Sequence, residues 1–221
     1  MKCENLTIES FNASLKNENV MIFHSLRAAN RENRPLLESL RCIIENQNTN
    51  KRSLSCSAIN VNSECAKHYY DGLGVLVKIN NINDLINIGE SDLGTINSQT
   101  TGINISKNEF DNLIKNINAE SYNELVVINY IIVGIFVKIS DIELGYINDT
   151  HVTPPDIDYS SISNEELNKL NKEIERKSKV DMREITNLSN ENNIKIFYLE
   201  NKTLYCHTPA TNDEFKPANL Y

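Results

Sequence analysis

Leu125-Val126-Val127-Ile128-Asn129-Tyr130-Ile131-Ile132-Val133-Gly134-Ile135-Phe136-Val137 is the longest apolar run of the chain. It falls short of the roughly 20 apolar residues that span a bilayer. Asn129 and Gly134 interrupt it, and β-branched residues dominate it, so it reads as buried strand. The polar pair Asn129-Tyr130 divides it into two predicted strands, 125–128 and 132–139. A mixed fold follows from what surrounds it. Upstream, short apolar runs of strand length occur at 20–24 and 54–59, and 74–79 alternates apolar with polar residues. Between them, Pro35 opens a helix with Leu36, Leu37, Leu40, Ile43 and Ile44 at helical spacing. A second helix is expected at 62–70, and a third at 106–117, where Ser106 and Glu109 have the spacing of a capping box. Residues 82–88 suit a short helix or a strand, and 87–102 reads as a Gly-, Ser- and Thr-rich loop.

Downstream, Thr153-Pro154-Pro155-Asp156 marks a break. A charged helix is expected at 163–181, then a hairpin of 194–199 with 203–206 turning at Asn201-Lys202, then a polar tail. The predicted fold class is α/β (α+β), a mixed β-sheet core with flanking helices. The predicted organisation is a flexible leader over 1–19, a core over 20–150, and a helix-plus-hairpin extension over 151–221 packed on that core.

At 221 residues the chain can bury one good core. Its formal charge of −8 offers no basic stripe for phosphates, which argues against nucleic acid as a partner and leaves a protein partner open. The five cysteines are odd in number and irregularly spaced, without a Cys-x-x-Cys pair, so neither a disulfide framework nor a structural zinc is expected. No metal, no membrane span and a monomeric state are the corresponding expectations. The first 20 residues lack a signal-peptide apolar core. A polar leader of this kind is compatible with the unstructured export signals of type III secreted effectors.

Three segments carry candidate chemistry. The first is Met21-Ile22-Phe23-His24-Ser25-Leu26-Arg27, an aromatic residue and a histidine at a strand end with an arginine three residues on. The second is Ser53-Leu54-Ser55-Cys56-Ser57, followed by Ala66-Lys67-His68-Tyr69-Tyr70 and a strand led by Gly72 and Gly74. The third is Glu120-Ser121-Tyr122-Asn123-Glu124, which opens directly into Leu125-Val126-Val127 and then the strand containing Gly134. A carboxylate immediately before such a strand sits at the mouth of a sheet.

In order and spacing these segments resemble the catalytic domains of mono-ADP-ribosyltransferase toxins and effectors of the cholera, pertussis and diphtheria toxin superfamily, over about residues 21–139. The resemblance implies NAD+ as substrate and Glu124 as the catalytic carboxylate. It implies His24, with Arg27 as an alternative phosphate ligand, beside the ribose or pyrophosphate. Ser55 and Ser57 take the place of the family's Ser-Thr-Ser strand, and Tyr69 that of a tyrosine covering nicotinamide. It further implies a host protein as acceptor, and a bacterial protein secreted into the host cytosol. Tyr122 stands two positions before Glu124, where arginine-directed members carry Glu and several others carry Gln. Arginine is therefore not indicated as the acceptor residue. Glu120, four before Glu124, substitutes for that carboxylate only if the loop bends.

Two other classes remain on the sequence. A cysteine-dependent protease or deamidase would pair Cys56 or Cys65 with His24, His68, His151 or His207, since such sites assemble in space. A non-catalytic host-binding effector would use the 163–181 helix. Hydrolysis of NAD+ by water is a variant of the transferase reading.

Overall fold

The computed structural model describes residues 5–26, 35–46, 53–62, 73–89, 105–117, 123–138, 142–143, 146–148, 162–200, 202–207 and 216–217. In chain order the elements begin with α1 (Ile8–Asn17), β1 (Val20–Ser25), α2 (Leu36–Asn46), β2 (Leu54–Asn60) and β3 (Leu73–Lys78). A 3-10 turn at Ile82–Asp84 leads into β4 (Leu85–Gly89), then α3 (Lys107–Lys115), β5 (Glu124–Val127) and β6 (Ile131–Lys138). The remainder is β7 (Ile142–Glu143), β8 (Tyr146–Asn148), α4 (Asn164–Ser178), β9 (Lys179–Asp181), α5 (Met182–Asn192), β10 (Lys195–Glu200), β11 (Thr203–His207) and β12 (Lys216–Pro217). The class is mixed α+β, as the alternation of helical and strand patterns indicates.

Local chemistry accounts for several helix ends. Ser106 and Glu109 form the expected capping box at α3, satisfying two helix-end donors reciprocally. Residues 82–88 contain both of the anticipated possibilities, a 3-10 turn and then a strand. Residues 5–19 depart from the flexible leader expected over 1–19. Thr7 and Ser10 cap α1 reciprocally, and the helix buries Phe11 and Leu15. Phe11 stacks on Phe110 of α3 with ring centroids 4.7 Å apart. Two apolar residues make a thin stripe in the sequence, and they suffice because α3 supplies an aromatic partner across the interface.

The strands form a nine-stranded sheet in the order β12-β11-β10-β6-β3-β1-β2-β5-β4, with β7-β8-β9 as a small separate sheet. Every pairing in the large sheet is antiparallel except β6 with β10. Although β5 and β6 are consecutive, they are not neighbours; β3, β1 and β2 lie between them. Four strand spacings in a flat sheet amount to about 19 Å. The link from Val127 to Ile131 reaches about 14 Å at full extension. The sheet therefore bends sharply between β6 and β5, beyond ordinary strand twist. At the bend, Asn129 adopts a left-handed φ of 46°, and its side-chain amide donates to Asp84 at 2.8 Å.

Two apolar clusters follow the two faces of this sheet. The larger joins Val20, Ile22, Val75, Leu125 and Ile135 to buried residues of α1, α2, α3 and α5. The smaller contains Met21, Phe23, Leu76, Phe136 and Phe197, with Phe23 and Phe136 in an edge-to-face contact at 5.0 Å. These sets alternate along β1 and β3, as half-buried strands require.

The chain beyond residue 150 is more than an extension resting on a finished core. Strand β10 pairs in parallel with β6, and β11 and β12 continue the sheet. The charged helix expected over 163–181 stops at Ser178, and Lys179–Asp181 pairs with β8. Asp181 then caps a further helix, α5, through a box with Glu184. That helix was absent from the sequence reading, although Asp181 and Glu184 carry the capping-box spacing. The hairpin does turn where expected, with Lys202 at φ 61°.

Candidate functional site

The three chemistry-bearing segments meet because β1, β2 and β5 are adjacent strands. The registers define a row of residues on one face. Leu76 pairs with Phe23, Phe23 with Ser57, Ser57 with Glu124, and Glu124 with Gly89. Paired residues share a face. The row thus passes from the smaller apolar cluster, through a hydroxyl and a carboxylate, to a residue without a side chain.

Glu124 is the first residue of β5 and is buried, with 1% exposure. An ionisable side chain that deeply buried demands polar partners. Ser55 supplies one, its hydroxyl donating to the Glu124 carboxylate across 69 residues of sequence. Ser55 is itself exposed, whereas Ser57 is buried. The hydroxyl–carboxylate pair consequently spans the boundary between interior and solvent. Charge-assisted hydrogen bonds of this type are strong and directional, and they fix the plane of the carboxylate.

His24 enters differently. Alternation along β1 aligns it with Val20 and Ile22, and it pairs with Val75 of the larger cluster. Its Cβ therefore lies on the face opposite Phe23 and Glu124, and its connection to the site runs through the main chain. Nδ1 lies 2.7 Å from the carbonyl oxygen of Ser55. A carbonyl only accepts, so Nδ1 carries the proton and donates. Surrounding protein desolvates the half-buried ring and lowers its pKa from the usual 6.5; the bond to Ser55 opposes this in part. His24 is accordingly neutral at pH 7, with the lone pair on Nε2.

That shift has a stability consequence. A base with a depressed folded pKa binds fewer protons in the native than in the unfolded state, so stability is complete above about pH 6.5 and declines as pH falls. His24→Asn, which can keep a donor near the Ser55 carbonyl, should show a smaller loss of stability between pH 7 and pH 5.5 than the parent. Urea midpoints at the two pH values measure the difference; equal losses would mean that His24 titrates normally.

Cys56 lies on β2 between the two serines and belongs to the larger cluster, with 2% exposure. Burial, and then the charge of Glu124, push its thiol far above the usual range. A thiol held protonated in the core is a poor nucleophile. Iodoacetamide should leave Cys56 unmodified in the native protein and label it after denaturation, as read by peptide mass spectrometry. Native labelling at Cys56 would restore it as a candidate for cysteine chemistry. Cys65, the other candidate, lies outside the described residues, as do His68 and His151.

Arg27, Tyr69, Glu120 and Tyr122 also lie outside the described residues, as does most of the loop over 87–102. Of the six residues selected from the sequence, the structure brings Ser55 and Ser57 together with Glu124, and ties His24 to Ser55 from the opposite face. Among the described residues, no group of three or more His, Cys, Asp or Glu is placed to hold a metal ion. No helix of the described chain is long and apolar enough to cross a membrane. Two residues that matter to the site belong to the quoted segments but are not among the six selected from the sequence. Asn123 directly precedes Glu124 in a left-handed conformation, φ 47°, and is buried. Gly74 leaves the space occupied by the Phe23 ring. The asparagine could have been found, since Asn tolerates φ above zero and marks sharp entries to strands. Comparison with models of protein families, with curated proteins and with solved structures finds no match.

Proposed function

We propose that this protein is a mono-ADP-ribosyltransferase that transfers ADP-ribose from NAD+ to a host protein, as a secreted effector acting in the host cytosol. The observation that carries the proposal is the Ser55 hydroxyl on the buried Glu124 carboxylate, formed where β1, β2 and β5 run side by side. The segments that resemble the transferase family are separate in the sequence and adjacent in the sheet.

The chemistry needs such a carboxylate. When the nicotinamide–ribose bond breaks, nicotinamide leaves with the bonding electron pair and positive charge develops on the ribose. A preorganised anion beside that charge is usually the largest single stabilising contribution to such a reaction. Glu124 supplies the anion and Ser55 holds its orientation. A nucleophilic side chain of the acceptor then donates a lone pair to the anomeric carbon, and its proton passes to solvent water. The residues on this face fit NAD+ in chemical type: a fixed carboxylate for the ribosyl cation and hydroxyls on the neighbouring strand, with the His24 imidazole on the opposite face bonded to the Ser55 main chain.

The test is incubation of purified protein with labelled NAD+ and a eukaryotic lysate. A labelled protein band supports transfer and identifies the acceptor by mass spectrometry. Nicotinamide release without a band indicates hydrolysis by water. Neither product from a folded sample overturns the proposal in favour of a non-catalytic binding role.

A further inference from the structure

Four asparagines, Asn19, Asn123, Asn129 and Asn193, hold φ between 46° and 53°. Each stands one or two residues ahead of a strand of the large sheet, namely β1, β5, β6 and β10. The chain has only seven glycines, and asparagine is the side-chain-bearing residue that tolerates this region best. These asparagines do the turning work that glycine does elsewhere. Three of the four are exposed, as a polar turn residue normally is. Asn123 differs, with 1% exposure.

Its main chain is anchored as well. The Asn123 carbonyl accepts from the Ala58 amide of β2 at 2.8 Å. One residue later the chain is in register, with Glu124 opposite Ser57. A left-handed residue reverses the local course of the chain, so the conformation at 123 decides where the first side chain of β5 projects. With the carbonyl pinned to β2 and the residue enclosed, that direction has little freedom.

We infer that Asn123 is the positioning residue of the site: its left-handed turn aims the Glu124 carboxylate at the Ser55 hydroxyl. The inference deepens the transferase reading in its account of turnover, but the Asn123–Glu124–Ser55 geometry is testable without it. Glycine adopts the same conformation at no steric cost, whereas alanine resists it. Asn123→Gly should therefore preserve the contact and Asn123→Ala should weaken it.

The experiment follows the Glu124 side-chain carboxyl by carbon-13 NMR in the full-length protein, with Ser55→Ala marking the shift of a carboxylate that has lost its partner. Asn123→Ala should move the Glu124 resonance toward that of Ser55→Ala, and Asn123→Gly should leave it near the parent value. In parallel, Asn123→Ala should lower kcat for NAD+ by on the order of tenfold to a hundredfold with little change in KM. Asn123→Gly should retain most of the parental kcat. A Glu124 resonance displaced equally in Asn123→Gly and Ser55→Ala would overturn the inference, even if Asn123→Ala proved too unstable to measure. An Asn123→Ala resonance equal to the parent's would overturn it too. Absence of NAD+ turnover in the parent protein defeats the transferase reading alone, because the resonance shifts are read without NAD+.

Discussion

Glu124→Gln is expected to lower NAD+-dependent nicotinamide release by at least ~10²-fold while leaving the protein folded. Glutamine matches the size of the carboxylate and still offers Ser55 an acceptor, so the loss isolates the negative charge. Stability should hold or rise, since an ionised group with 1% exposure carries a desolvation cost that the neutral amide lessens. Thermal unfolding by circular dichroism, together with a nicotinamide-release assay, separates the two effects. A folded Glu124→Gln protein with parental turnover would remove Glu124 from catalysis. A fall in turnover accompanied by unfolding would instead make the carboxylate structural, and would return weight to a binding role.

The largest loss of stability is expected from Gly74→Ala. A Cβ at this position would fall well inside contact distance of the Phe23 ring and of the His24 carbonyl oxygen. The ring is locked by its edge-to-face contact with Phe136. The carbonyl belongs to β1, which pairs with β3 through His24 and Val75. Neither neighbour can withdraw without disturbing the smaller cluster or the β1–β3 ladder. The cost is about 2–4 kcal/mol, a fall in Tm of roughly 4–16 °C for a chain of this length. Gly134→Ala is a parallel case, with the Phe197 ring and the Lys195 carbonyl, the latter 2.8 Å away, in the way. Calorimetry on the two variants checks both; a Tm within 1–2 °C of the parent at Gly74 would mean that the sheet accommodates the methyl group. Because Phe23 pairs with Ser57 in the row that leads to Glu124, Gly74→Ala should also reduce turnover. Glu124→Gln should not lower Tm, so the two variants distinguish a chemical from a structural defect.

Much of this molecule was legible in its residues. Strand length and alternation placed β1, β2, β3, β5 and β6 within a residue or two, because β-branched runs have few other uses. Pro35 and the Ser106–Glu109 box located the starts of α2 and α3, since helix ends are satisfied by near neighbours in sequence. Asn201 and Lys202 located the hairpin turn. The candidate site was legible as a set of residue types, a serine pair on one strand and a carboxylate at the head of another. Two helices escaped because their stabilising partners are remote. The amino-terminal helix depends on Phe110 from α3, and α5 depends on Ile185 and Leu188 entering the larger cluster.

Sequence alone therefore determined the mixed class, most element positions and the identities of the chemistry-bearing side chains, all of which depend on interactions between residues a few positions apart. Only the tertiary structure decided the strand order. The short link through Asn129 cannot tell whether β5 and β6 pair with each other or part at a bend; the packing of both sheet faces settles that. The same global choice threads β10 beside β6 and puts β2 between β1 and β5. It sets Ser55 against Glu124 and His24 on the opposite face, because which strand lies beside which is a property of the whole core and is written in no single segment.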